Sequence, residues 1–307
     1  MTFTYALAEF IDFQDKQACE RVRRITRDDI TRHPNHDFKI QVIDEHAELF
    51  AAFATDLVQE IKQALDEGRD FVCILPVGPV EQYPIAARMI NRFRIPMHHV
   101  HTFNMDEYAD EHGNTAPADW PGSFQKAMFD KFFNLIDEEL RPPLEQIHFP
   151  TSDVLDHYFD IMQEVGGVDV CYGGIGWCGH IAFWESHLGH EFGEDLDAYM
   201  RATSRVVTLN PMTIMQNALH SFGGDWSLVP PKAATIGPGE VMAARYRSFW
   251  LPYGSSVTPD ITWQRFIARL AAHGPVNTFV PGSILQTAPG AYIMVGAVAD
   301  NIVVDVS

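Results

Sequence analysis

Cysteine is scarce in this chain: Cys19, Cys73, Cys171 and Cys178 stand far apart, with no CxxC pair among them. That excludes a disulfide-built scaffold and points to reduced thiols. Basic side chains are also few, 22 Lys and Arg against 41 Asp and Glu, for a formal net charge of −19 at pH 7. Such a balance argues against nucleic acid and against an anionic membrane surface as partners. It is also an awkward background for a strongly anionic substrate unless a local basic pocket offsets it. No apolar run reaches the ~18 residues of a membrane span, and Met1–Asp12 lacks the basic start of a signal peptide. The expectation is a soluble cytoplasmic protein.

What is present is 307 residues, 46% hydrophobic and 21% charged, ample material for an α/β core. Leu49, Phe53, Leu57, Ile61 and Leu65 recur every four positions, which predicts an amphipathic helix over 44–67, ended by Gly68. Short apolar runs at 71–76 and 168–171 predict buried parallel strands. Strand and helix then alternate: strands near 98–103, 147–150, 205–209, 234–236, 246–251 and 291–298, helices near 80–92, 124–140, 153–165, 212–220 and 259–272. The stretch 104–108 reads as a polar turn. This rhythm predicts an α/β fold with a doubly wound, mostly parallel sheet and helices on both faces. Residues 1–43, with the charged run Lys16–His33, read as a helical extension. Residues 44–307 read as one domain with a lid insertion around 186–225, where the rhythm breaks.

Chemistry-bearing residues follow two of these strands. One group is Asn104-Met105-Asp106-Glu107-Tyr108. The other opens with Gly173, Gly174 and Gly176, which permit a tight turn close to a ligand, and continues with Cys178, His180 and Glu185. In a doubly wound sheet both groups share one carboxyl edge and can face one crevice. A carboxylate and an imidazole meeting there are parts for acid–base chemistry near neutral pH. The plainer alternative is a capping Asp106 and a buried, satisfied His180. His98, His99 and His101 match no known zinc spacing and alternate across a strand. Trp177 and Trp184 flank the histidine, where rings can stack on sugar faces or simply pack.

Phe103-Asn104-Met105-Asp106-Glu107-Tyr108 together with Gly173-Gly174-Ile175-Gly176-x-x-Gly179-His180-Ile181-Ala182-Phe183-x-Glu185 resembles the glucosamine-6-phosphate deaminase/isomerase family, from about residue 44 onward. The related phosphogluconolactonases share the glycine–histidine loop but not the whole 103–108 signature. The resemblance implies a Rossmann-like fold and an aldose–ketose isomerisation of an amino sugar with loss of ammonia. It casts Asp106 as the base moving a proton between C2 and C1, His180 as the ring-opening acid/base and Glu185 as the carboxylate orienting that imidazole. Gly78, Glu81, Glu107, Gly174, Gly176, Gly179 and Trp184 become candidate substrate contacts. The partner is a small sugar, no metal or redox cofactor is required, and a homo-oligomer fits the family habit.

Three departures stand out. Cys178 occupies the place of the family's aspartate beside the histidine, so His180 is expected to be less basic; a sharper alternative makes Cys178 a nucleophile paired with His180. The phosphate-cradling turn is replaced by Val77-Gly78-Pro79-Val80-Glu81, where Pro79 lacks an N–H and Glu81 adds negative charge. The family's phosphate-binding Arg and Lys find no counterpart near Ile214 or in 253–257. A substrate without the usual 6-phosphate is expected. The alternatives are a non-catalytic carbohydrate-binding homologue or a lactone hydrolase.

Overall fold

Seven strands form one wholly parallel sheet in a computed structural model that describes residues 3–252 and 262–304. Their order is β1 (Phe38–Ile43), β10 (Gly290–Val295), β9 (Tyr246–Leu251), β6 (Val170–Gly173), β2 (Phe71–Leu75), β3 (Val100–Asn104) and β5 (Ile147–His148). The central strands are continuous apolar runs because helices cover both faces, and β2 is buried at every position. The expected doubly wound α/β architecture is what the chain adopts.

The first 43 residues enter this architecture rather than standing apart. β1 pairs along its whole length with β10. Its FKIQVI sequence alternates buried and exposed residues at the start, as an edge strand does. The helix Lys16–Arg23 packs on Gln264–His273. Below it the fully buried Arg269 donates to the carbonyls of Ile25, Val298, Ala299 and Asp300. A guanidinium satisfied by backbone oxygens ties the two ends of the chain to the domain.

Three further strands, β4 (Asp106–Ala109), β7 (Arg205–Thr208) and β8 (Lys232–Thr235), make a small antiparallel sheet in the order β4-β8-β7. This corrects two expectations. Residues 104–108 are not a turn: the chain leaves β3 and begins a new strand one residue later, with Asp106 opposite Thr235 and every β4 residue buried. The segment 186–225 is not wholly an insertion, since β7 lies within it. The expected long helix 124–140 is also shorter: Phe124–Lys131 is helical, Phe132 leaves the helical region, and 3-10 turns follow.

The sheet order positions the site. From β2 the chain moves outward through β3 to β5, then returns to place β6 on the other side of β2. The loops leaving β2 and β6 therefore diverge, and a crevice opens between them at the carboxyl edge.

Candidate active site

A cavity of about 280 Å³ fills that crevice. Pro76 to Glu81 after β2, Met105 and Tyr108 around β4, and Gly174 to Gly176 after β6 line it, with His180, Phe183 and Trp250. The helix Pro211–Ser221 adds Gln216, Asn217, His220 and Ser221, and His46, Phe50 and Trp263 complete the walls. Of the expected contacts, Gly78, Glu81, Gly174, Gly176 and His180 reach the cavity. His46, Thr213, Asn210 and the wall residues of the 211–221 helix escaped sequence reasoning. The Asn210-Pro211 start signals that helix, but nothing in the sequence says that it faces the glycine loop.

His180 is the hinge of the site. Its Nδ1 faces inward to a cluster of Cys178 Sγ at 3.2 Å, Thr213 Oγ1 at 2.9 Å and Glu185 Oε2 at 3.3 Å. The Thr213 hydroxyl and the Cys178 thiol both donate to Glu185 Oε2, at 2.9 and 3.0 Å. Glu185 itself has no exposure, and its Oε1 accepts from Asn210 N at 3.1 Å. With Nδ1 engaged inside, Nε2 is left over Gly176. A β-carbon on Gly176 would lie 1.8 Å from it, so only glycine lets the imidazole sit there. Gly176→Ala is therefore expected to push the ring off its cluster, lowering kcat about 10²-fold with a modest fall in melting temperature. Unchanged turnover in that variant would contradict this packing.

The cluster reverses the expected basicity of His180. Burial works against the imidazolium, but Cys178 and Glu185 on its inner face outweigh it and hold the pKa above the ordinary value. With Cys178 beside the histidine, Glu185 still lies 3.3 Å from Nδ1, and its charge favours the imidazolium. Cys178 and His180 do meet, yet the thiol touches the nitrogen turned away from the cavity and lines none of its wall. It lacks the access a nucleophile needs.

Asp106 is 7% exposed on β4, between two residues that line the cavity and not itself part of the wall. Burial first, and the Glu107 charge second, push its carboxyl up to about 8, while His180 pulls the other way. A carboxylic acid titrating near neutrality beside a cavity is matched to proton transfer.

Three expected substrate contacts are something else. Glu107 is fully buried and accepts from the backbone N–H of Tyr108, Phe124 and Gln125 and from Ser123 Oγ, at 2.9–3.0 Å. It caps the helix Phe124–Lys131, where orphan N–H groups and the helix dipole favour a carboxylate. Trp184 is buried away from the cavity against Phe192 and Tyr199, with the Arg205 guanidinium over its ring. Gly179, at a φ of 88°, packs on Val280 and Ile267 rather than lining the cavity. Trp177 stacks on Trp263. His190 pairs with Asp12, and His99 bonds the Ile61 carbonyl, both outside the cavity wall.

No Lys or Arg belongs to the described lining. Ile214 packs against the core, and Arg205 pairs with Glu191. The loop 253–257, expected to lack the family's lysine, lies outside the described residues. Among those described, no helix is long and apolar enough to cross a membrane.

No family model matches the chain. Solved structures do resemble it: a monomeric glucosamine-6-phosphate deaminase at TM-score 0.69 and 22% identity, covering 85% of this chain and 98% of that one. A 6-phosphogluconolactonase from Trypanosoma cruzi follows at TM-score 0.60 and 16% identity, over 87% and 97%. These likenesses define the class, an α/β fold shared by deaminases and lactonases of this kind. Sequence comparison goes further. A glucosamine-6-phosphate deaminase of Caenorhabditis elegans is 38% identical over 213 residues, 66% of this chain and 72% of that one. Glucosamine-6-phosphate deaminase 2 of Bacillus subtilis is 32% identical over 253 residues, 80% and 90%. The chain belongs to the glucosamine-6-phosphate deaminase family.

Proposed function

We propose that the protein is an isomerase–deaminase of an amino sugar. The observation that carries this reading is the pairing of a buried acid titrating near neutrality, Asp106, with an imidazole whose inner nitrogen is held by Glu185 and Thr213. His180, protonated at neutral pH by that environment, gives a proton to the ring oxygen and opens the sugar. Asp106, once ionised, takes the C2 proton and returns it at C1. The C2 imine that results is hydrolysed by water to the ketose and ammonia. Glu185 does not touch the sugar; it positions the imidazole and fixes which nitrogen faces the cavity, the role of the third member in triad logic.

The substrate in this reading lacks a 6-phosphate. The described wall offers Glu81 and Pro79 where a dianion would need donors, and no Lys or Arg. Two missing charge-assisted contacts cost a phosphate about 1.5–3 kcal/mol each. Aromatic faces and neutral donors such as Trp250, Trp263, Gln216 and Asn217 suit an uncharged hydroxymethyl end. Purified protein incubated with glucosamine and with glucosamine 6-phosphate, reading ammonia and ketose, tests it. The free sugar is expected to have the higher kcat/KM. A higher value for the phosphate would overturn the substrate half and leave the chemistry standing.

A further inference from the structure

The inner face of His180 holds more than an orienting carboxylate. Four donor atoms meet there: Cys178 Sγ, His180 Nδ1, Glu185 Oε2 and Thr213 Oγ1. Their six mutual separations are 3.2 Å (S–N), 3.0 Å (S to carboxylate), 3.8 Å (S to hydroxyl), 3.3 Å (N to carboxylate) and 2.9 Å for each remaining pair. Four points so spaced cannot be coplanar. They form a distorted tetrahedron whose equidistant centre lies about 2.0 Å from every donor, the bond length zinc makes to nitrogen and oxygen ligands. Opening the sulfur corner by a few tenths of an ångström meets the ~2.3 Å of a zinc–thiolate bond. The residues are buried, and His180 connects the cluster to the cavity.

The geometry points to a tetrahedral divalent-metal site at Cys178, His180, Glu185 and Thr213, with zinc the ion its donors suit. A thiolate, an imidazole and a carboxylate are the mixed S/N/O set that zinc accepts, and the sulfur makes the site softer than the family's aspartate would. Two anionic ligands neutralise the divalent charge inside the protein. The outer shell is in place: Asn210 N holds Glu185 Oε1, and the Asn210 side chain is held by Ser186 Oγ and Asp12 Oδ2. Binding forms bonds to the four donors, releases two protons to solvent, one from the thiol and one from Nδ1 of the imidazolium, and leaves the remaining imidazole proton on Nε2. The metal-bound ring can no longer become an imidazolium, so the site gives this branch a way for metal to silence the histidine reversibly. This inference rests on the donor geometry alone and stands whichever sugar is the substrate.

The test uses cobalt as a spectroscopic stand-in. Reduced, full-length protein is titrated with Co²⁺, recording the near-ultraviolet thiolate-to-cobalt band and the visible d–d bands. One equivalent is expected to give both, with tetrahedral intensity, and Zn²⁺ to displace them. Cys178→Ser should abolish the thiolate band, and Thr213→Val, a near-isosteric change, should weaken Co²⁺ binding at least about tenfold. Zn²⁺ should also raise the melting temperature of the unaltered protein, because the assembled site exists only when folded. No band at one equivalent, or a band that persists in Cys178→Ser, overturns the proposal. Should the serine variant not fold, undiminished affinity in Thr213→Val overturns it instead.

Discussion

Asp106→Asn is expected to slow turnover about 10²–10⁴-fold, the usual worth of a positioned acid–base group, with little change in KM. Exchange of the C2 proton into deuterated water should disappear in the same variant. A lactone hydrolase using His180 to activate water would keep its rate, and a binding protein would show no exchange even before the change, so this experiment separates the three readings. The pH profile follows from the same residue. With the carboxyl raised to about 8, the ionised base is a minority at pH 6–7. kcat/KM of the unaltered enzyme should therefore climb up to tenfold per pH unit and level off near pH 8.

Stability moves the opposite way. The folded protein binds the Asp106 proton more tightly than the unfolded chain, whose carboxyl titrates near 3.8. Ionising it in place therefore destabilises the fold progressively from about pH 4 to about pH 8, after which the loss is complete. At about 1.4 kcal/mol per unit of pKa difference, tempered by local relaxation, the effect amounts to a few kcal/mol. Asn does not titrate. Asp106→Asn should consequently melt higher than the unaltered protein at pH 8, and the gap should close toward pH 4. A gap that widens on acidification would show that the carboxyl is not held protonated.

The neighbouring carboxylate gives the second large effect, of another kind. Glu107→Ala is expected to lower stability by about 3–5 kcal/mol, because three backbone N–H groups lose a buried acceptor at about 1–3 kcal/mol each. For a domain of this size that is a fall in melting temperature of roughly 5–15 °C. Were Glu107 a substrate ligand, the same change would raise KM and leave the melting curve in place. Thermal unfolding and steady-state kinetics on one preparation decide between them.

Asp106 and Glu107 also show how far the sequence could be read. The motif around them is visible, and so are β2, β6 and β9, because central strands buried on both faces must be apolar throughout. β4 is not visible. Its two acids make it look like a turn, and it is a strand only because β8, over a hundred residues later, supplies the pairing. β1 was hidden for the opposite reason: its edge position lets Lys39 and Gln41 interrupt the apolar run. The long helix expected over 124–140 failed because Phe132, Phe133, Ile136 and Leu140 keep a helical spacing through turns that are not helical.

Within the site, Gly176, His180 and Glu185 are local in sequence, and their meeting was foreseeable. Cys178 alone predicts a weakly basic histidine, but the buried Glu185 carboxylate lies 3.3 Å from Nδ1 and reverses that. Thr213 and Asn210 come from a helix some thirty residues downstream, and no spacing rule connects them to the glycine loop. Glycine loops, in contrast, are readable because a steric requirement acts on the residue itself.

The divergence of the loops after β2 and β6 has a consequence for how such a protein changes over time. Asp106 sits on β4 and His180 on the loop after β6, whereas much of the described cavity wall comes from other segments: His46 and Phe50, residues 76–81, the helix Pro211–Ser221, and Trp250, Pro252 and Trp263. Those wall segments can drift, lengthen or exchange charged for neutral side chains without displacing Asp106 or His180. On this layout, substrate choice and chemistry can change independently. A lineage could then exchange one sugar for another while keeping its reaction intact, and the turn at Val77–Glu81, which lines the cavity, is one place where such a change would register.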